Sequence, residues 1–205
     1  MLFLSLILTF QIQIVRVKYS GGDWYNDPSI IPNLMTEFEK RTGITTKKEE
    51  KILSLSDDDI FSYPFLFITG HGRINLTEKE IENLRKYLWN GGFVYADDDY
   101  GMDEYIRREI LRIFPSNELI GLPLENPIYH IFYDFPEGLP KIHEHYKGPP
   151  HGYGIFLNKR LSLYYTYNTN ISDGWANPDV HNDPPQKREQ AFRMGVNILY
   201  YALTR

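Results

Sequence analysis

The chain has 205 residues, an ordinary hydrophobic share of 42% and a formal charge of −5, which suits one compact domain and excludes the basic footprint of a nucleic-acid binder. It contains no cysteine, so disulfides, thiolate metal sites and a cysteine nucleophile are excluded. Aromatic residues reach 15%, including 16 tyrosines, an excess that serves either a binding surface or an amphipathic rim of the core.

Residues 1–10, MLFLSLILTF, form an apolar run of signal-peptide length that is too short to span a bilayer. No basic residue precedes it, no small-residue cleavage site follows, and strand-like IQIVRVKY begins at once. Export to the periplasm and a cytoplasmic location both stay open, and an integral membrane protein is not expected. Residues 11–205 read as a single domain.

From Gln11 to Tyr19 the β-branched alternation predicts a first strand ending at Ser20-Gly21-Gly22. A helix follows, with Asp27 as its cap, Pro28 in its first turn, Ile31, Leu34, Met35 and Phe38 on one face, and Gly43 as its stop. Short strands are expected near Ile44–Lys47 and Ile52–Leu55. Phe65–Ile68 is a continuous apolar run, as in a strand buried on both faces, closed by Gly70-His71-Gly72.

Thr77 and Glu80 form a capping box for a helix to Asn90, with Ile81, Leu84 and Leu88 inward and Gly91-Gly92 at its end. Phe93–Ala96 predicts another buried strand, followed by an Asp97–Gly101 loop and a helix from Met102 to Phe114, stopped by Pro115. Farther on, strands are expected at Glu118–Leu122, Ile128–Tyr133, Gly154–Leu157 and Leu161–Tyr167, the last two joined through Asn158-Lys159-Arg160. Pro136–Pro150 and Asn168–Pro185 read as long surface loops, and Pro185–Leu203 as a final helix with Phe192, Gly195, Val196, Leu199 and Ala202 inward.

Strand-helix alternation implies an α/β fold with a mostly parallel central sheet, whose ligand crevice lies beyond the carboxyl ends of the strands. The loops Ser20–Asp27, Thr69–Leu76 and Asp97–Gly101 share that rim.

The strings SGGDWYNDP, YPFLFITGHG, LRKYLWNGGFVYADD and AFRMGVNILYYALTR together resemble the bacterial family catalogued as domain of unknown function 4159, over Val15 to Thr204. That family resembles the class I glutamine amidotransferases. The resemblance implies a flavodoxin-like, amidotransferase-like three-layer sandwich with an irregular β-containing C-terminal part. Gly70-His71-Gly72 then resembles the loop that supplies an oxyanion hole, and Asp97-Asp98-Asp99 falls where the elbow would carry its cysteine. Without that thiol, amidotransferase activity is not carried over.

The candidate ligand-binding rim comprises Asp23, Trp24, Gly70, His71, Gly72, Asp97, Asp98 and Asp99. The aspartates can hold a divalent cation, completed by Asp23 and His71. They can equally be structural, one capping the next helix, one accepting backbone hydrogen bonds and one facing water. His71 can do acid-base work or hydrogen-bond a neighbouring loop. Trp24 can stack on a sugar ring or plug the rim. His143-Glu144-His145 can present two imidazoles to a metal, with His130, His151 and His181 nearby in sequence, although no HExxH spacing is present.

No cofactor is evident. Two functions follow: a binding domain of the cell envelope for a small ligand or protein partner, or a metal- or carboxylate-assisted hydrolase using Asp97, Asp98 and His71.

Overall fold

The computed structural model describes residues 11–205, and the apolar segment 1–10 lies outside the described residues. One mixed sheet runs through the molecule in the order β3 (Lys51–Ser54), β1 (Val15–Lys18), β4 (Phe65–Asn75), β5 (Phe93–Tyr100), β8 (Arg160–Tyr167), β7 (His151–Leu157) and β6 (Ile120–Gly121). The first five are mutually parallel, and the last three form an antiparallel edge.

Helices α1 (Ile30–Thr42) and α5 (Pro185–Thr204) cover one face, and α2 (Glu78–Trp89) and α3 (Asp103–Ile113) the other. A four-residue α4 spans Pro178–His181. The protein is therefore α/β with helices on both sides of a mostly parallel sheet, consistent with a flavodoxin-like arrangement. No helix among the described residues is long and apolar enough to cross a membrane.

Period-two alternation assigns each strand residue to a face. Phe65, Phe67, Phe93, Tyr95 and Tyr164 point to the α1/α5 side, and Leu66, Ile68, Val94, Ala96 and Leu163 to the α2/α3 side. Much of the aromatic excess is consumed here. Rings stack across adjacent strands, Phe67 on Tyr95 at 5.5 Å and Tyr95 on Tyr164 at 5.8 Å, and Trp175 lies against both Phe67 and Tyr95.

Several sequence signals act as read. Thr77 and Glu80 close a reciprocal capping box on α2, Gly43 ends α1 in the left-handed region, and Asn158 and Lys159, both at positive φ, turn β7 into β8.

Other elements differ. Asp27 does not cap α1: Ser29 occupies that position, and Asp27 lies at φ 47° with its carboxylate bonded to His181. The expected strand at Ile44–Lys47 is a single bridge, Ile12 to Thr46. The apolar stretch Ile128–Tyr133 is not a strand. Asn126 Oδ1 accepts the Ile128 amide, Pro127 opens a 3-10 turn, and Asn197 on α5 donates to the Ile128 carbonyl; side-chain burial, not strand pairing, explains its hydrophobicity.

Two segments that shape the site depart from the sequence expectation. β4 does not close at Gly70-His71-Gly72 but continues to Asn75, pairing antiparallel with β2 (Ser20–Gly22). Gly70 sits at φ 139°, and a Cβ there would meet the Tyr19 hydroxyl and Asp23 Oδ1, so glycine permits the crossing. The segment Asn168–Pro185 is not all surface loop either: residues 168–176 are buried, tucked beneath the ends of β5 and β8.

Candidate metal and ligand site

Asp97, Asp98 and Asp99 lie within β5 rather than in a loop, and all are buried, at 0%, 1% and 2% exposure. The expectation that one of them faces water is overturned. Alternation divides them. Asp97 and Asp99 continue the Phe93/Tyr95 face, whereas Asp98 continues the Val94/Ala96 face and accepts the Met102 amide at 2.9 Å beside the start of α3. Asp98 Oδ2 has no hydrogen-bond partner, and burial raises this carboxyl to about 7.

Asp97 is an anchor. It accepts the Thr166 hydroxyl at 2.5 Å and the Ser172 amide at 2.7 Å, and burial pushes its pKa up. Asp99 accepts Asn26 Nδ2 at 2.5 Å and Asn170 Nδ2 at 2.9 Å. Asn170 Nδ2 also lies 3.2 Å from Asp173 Oδ2. Burial and the facing Asp173 charge hold Asp99 well above the ordinary carboxylate range. Burial does the same to Asp173, against the pull of His181.

The rim loops meet as the strand order requires. His71 Nδ1 is 2.8 Å from Asp23 Oδ2 and His71 Nε2 is 3.2 Å from Asp99 Oδ2, so both ring nitrogens face carboxylates. Burial opposes protonation of this ring, but Asp99 and Asp23 together raise its pKa. Burial works to raise Asp23, yet hydrogen bonds from the His71 amide and ring keep it below its ordinary value. Gly72 is at φ 68° on the extended part of β4.

Trp24 is partly buried against the α2/α3 core, with Lys18 Nζ 5.9 Å from its ring and Tyr25 edge-on. Its loop is fixed from below by buried Arg16, which pairs with Glu50 at 2.7 Å and donates to the carbonyls of Trp24, Asn26 and Asp27.

The histidines converge in part. His143 and His145 stack with centroids 4.9 Å apart, and His181 approaches His143 at 6.0 Å. His130 instead pairs with Asp134, and His151 lies exposed on β7. One ligand atom from each of His143, Asp173 and His181 lies within 4.8 Å of the others, and the same holds for Asp99, His145 and Asp173. His143 Nδ1 is 3.6 Å from Asp183 Oδ1. That histidine nitrogen and Asp183 Oδ2 are both buried without a hydrogen-bond partner, and the Asp183 side chain is only 7% exposed.

His181 is raised to about 9, chiefly by its hydrogen bond to Asp27. Burial and the neighbouring histidines lower His145, which favours the neutral imidazole that a metal ligand must be.

The charge balance is lopsided. Asp23, Asp27, Asp97, Asp99, Asp173 and Asp183 gather here, and among the described residues none pairs with a lysine or arginine; their only ionic partners are histidines. Buried carboxylates demand compensation by protons or cations. The cluster opens to solvent at the exposed His145, whose ring packs on Tyr100 at 4.9 Å. A cavity of about 540 Å³, lined by Arg107, Leu111 and the Pro115–Leu119 turn, lies apart from it.

The description "domain of unknown function (DUF4159)" matches residues 13–203, nearly the whole chain. The chain belongs to the DUF4159 family. No curated protein sequence matches it. In this DUF4159 domain the residues missed by sequence reasoning are Asn26, Asn170, Asp173 and Asp183, with the roles of Asp27 and His181. Their one signal was the pairing of a His-x-His loop with the asparagine- and aspartate-rich stretch Asn168–Asp183.

Proposed function

We propose that this domain binds a divalent cation of the zinc or manganese class at the carboxyl end of its sheet, through His143, His181 and Asp173, and presents it to a small ligand. The carrying observation is the convergence of imidazole and carboxylate atoms from separate loops in a cluster without lysine or arginine partners. Mixed imidazole and carboxylate donors suit such ions. The buried, unpartnered His143 Nδ1 and Asp183 Oδ2 support the same reading, because unsatisfied buried polar atoms are costly unless something completes them.

An amidotransferase-like ancestry is part of this proposal, supported by the sequence resemblance and the parallel sheet. The chain carries no cysteine, so the inherited crevice would serve other chemistry. The cell-envelope placement is supported by the apolar first residues alone.

A second reading, metal-assisted hydrolysis, is favoured by Asp99, which shares the Asn170 amide with Asp173 but is not one of the three proposed ligands, and so can take the proton of a cation-bound water. Asp98, on the opposite face, would have no part in it, and His71 would first have to release Asp99. Calorimetric titration of chelator-stripped protein with Zn²⁺ tests the binding reading: tight binding lost in Asp173→Asn supports it, and no binding sinks it. Turnover of nitrophenyl esters by the loaded protein, abolished in Asp99→Asn, would favour the hydrolytic reading.

A further inference from the structure

Asp173 belongs to two sets of converging ligand atoms, one with His143 and His181 and the other with Asp99 and His145. We propose that the cluster holds two cations sharing Asp173, the second seated by Asp99 and His145; this rests on the cation-binding reading above.

The geometry supports a pair rather than one displaced ion. The His143 and His145 rings are nearly parallel, 19° apart with centroids 4.9 Å apart, so the loop presents two imidazoles side by side, one to each set. Asp99 and Asp173 are drawn together by a single donor, Asn170 Nδ2, at 2.9 and 3.2 Å. Two buried carboxylates on one amide repel each other, and a cation between them removes that repulsion.

A single ion at His143 and His181 would leave Asp99 with only His71 as ionic partner, at 3.2 Å. An independent observation points to a ligand on the Asp99 side. Asn26, whose amide nitrogen binds Asp99 Oδ2, has its Oδ1 buried with no hydrogen-bond partner. This carbonyl oxygen is a hydrogen-bond acceptor with no donor facing it, and a lone pair left free in this way is what an oxygen-lined cation site offers. Sites in which a carboxylate spans two ions place those ions about 3.5–4 Å apart, compatible with two sets that share one aspartate.

The test uses the full chain, stripped by chelator and titrated with Mn²⁺ by calorimetry and by electron paramagnetic resonance. Two equivalents with a spin-coupled signal are expected. His145→Ala, an exposed position, should fall to one equivalent and lose the coupling, whereas Asp173→Asn should weaken both sites at least tenfold. Circular dichroism establishes that each variant is folded. One equivalent in the wild type, unchanged by His145→Ala, overturns the second site and leaves the single-cation reading standing. No binding overturns both.

Discussion

The Ser172 amide donates to Asp97 Oδ2 at 2.7 Å, joining residues 75 apart in sequence. This bond ties the end of β5 to the segment after β8 and brings Asn170 and Asp173 under Asp99. Asp97 thus builds the cluster without being one of the atoms that meet at its centre.

Arg16 performs the corresponding task for the loop carrying Asp23, Asn26 and Asp27. Replacing it with Met should cost about 2–4 kcal/mol, because Glu50 loses its partner and the loop carbonyls lose charged donors. Urea denaturation checks this. A loss below about 0.5 kcal/mol would show that the loop holds itself.

Gly195 lets α5 pass close to α1 and Trp175. A Cβ there would lie 2.6 Å from Leu34 Cδ1 and 2.8 Å from Trp175 Cζ2, so Gly195→Ala should destabilise by about 1–3 kcal/mol through overpacking. Gly121, where a Cβ meets nothing within 4 Å, is the control, expected to change by less than about 0.5 kcal/mol. Thermal melts of the two variants should separate clearly.

Burial raises Asp98 from 3.8 to about 7. Between those values the folded protein keeps a proton that the unfolded chain has lost, so stability from this group is full below pH 3.8 and lost as pH rises through about 7. Asp98→Asn keeps an acceptor for the Met102 amide. In chelator-treated protein it should melt higher than wild type at pH 8 and show a flatter fall from pH 4 to 8. Parallel curves for the two proteins would contradict this.

The sequence made the scaffold legible where local signals were strong: the capping box at Thr77, the stop at Gly43 and the apolar runs of β4 and β5. The rim loops were legible as neighbours because strand alternation fixes their side of the sheet. Placing Asp97–Asp99 in a loop failed because three carboxylates read as solvent-seeking, whereas strand pairing with β4 and β8 carries Asp97 inward. Period-two alternation would have separated Asp98 from its neighbours once the strand was extended.

Residues 168–176 stayed hidden for a different reason. Asn168, Thr169, Asn170, Ser172 and Asp173 are polar yet buried, and polar composition normally marks exposed loops. Their partners are long-range: the Pro140 carbonyl for Thr169, Asp99 for Asn170, Asp97 for Ser172. Such bonds leave no periodic trace in the sequence.

On the function proposed above, His143, His181 and Asp173 hold a divalent cation. Crystals grown from zinc-loaded protein, with diffraction collected on both sides of the zinc absorption edge, test it most directly. An anomalous peak within about 2.0–2.2 Å of ligand atoms from all three side chains is expected. A fully loaded crystal with its zinc elsewhere, or with no peak in this cluster, would contradict it.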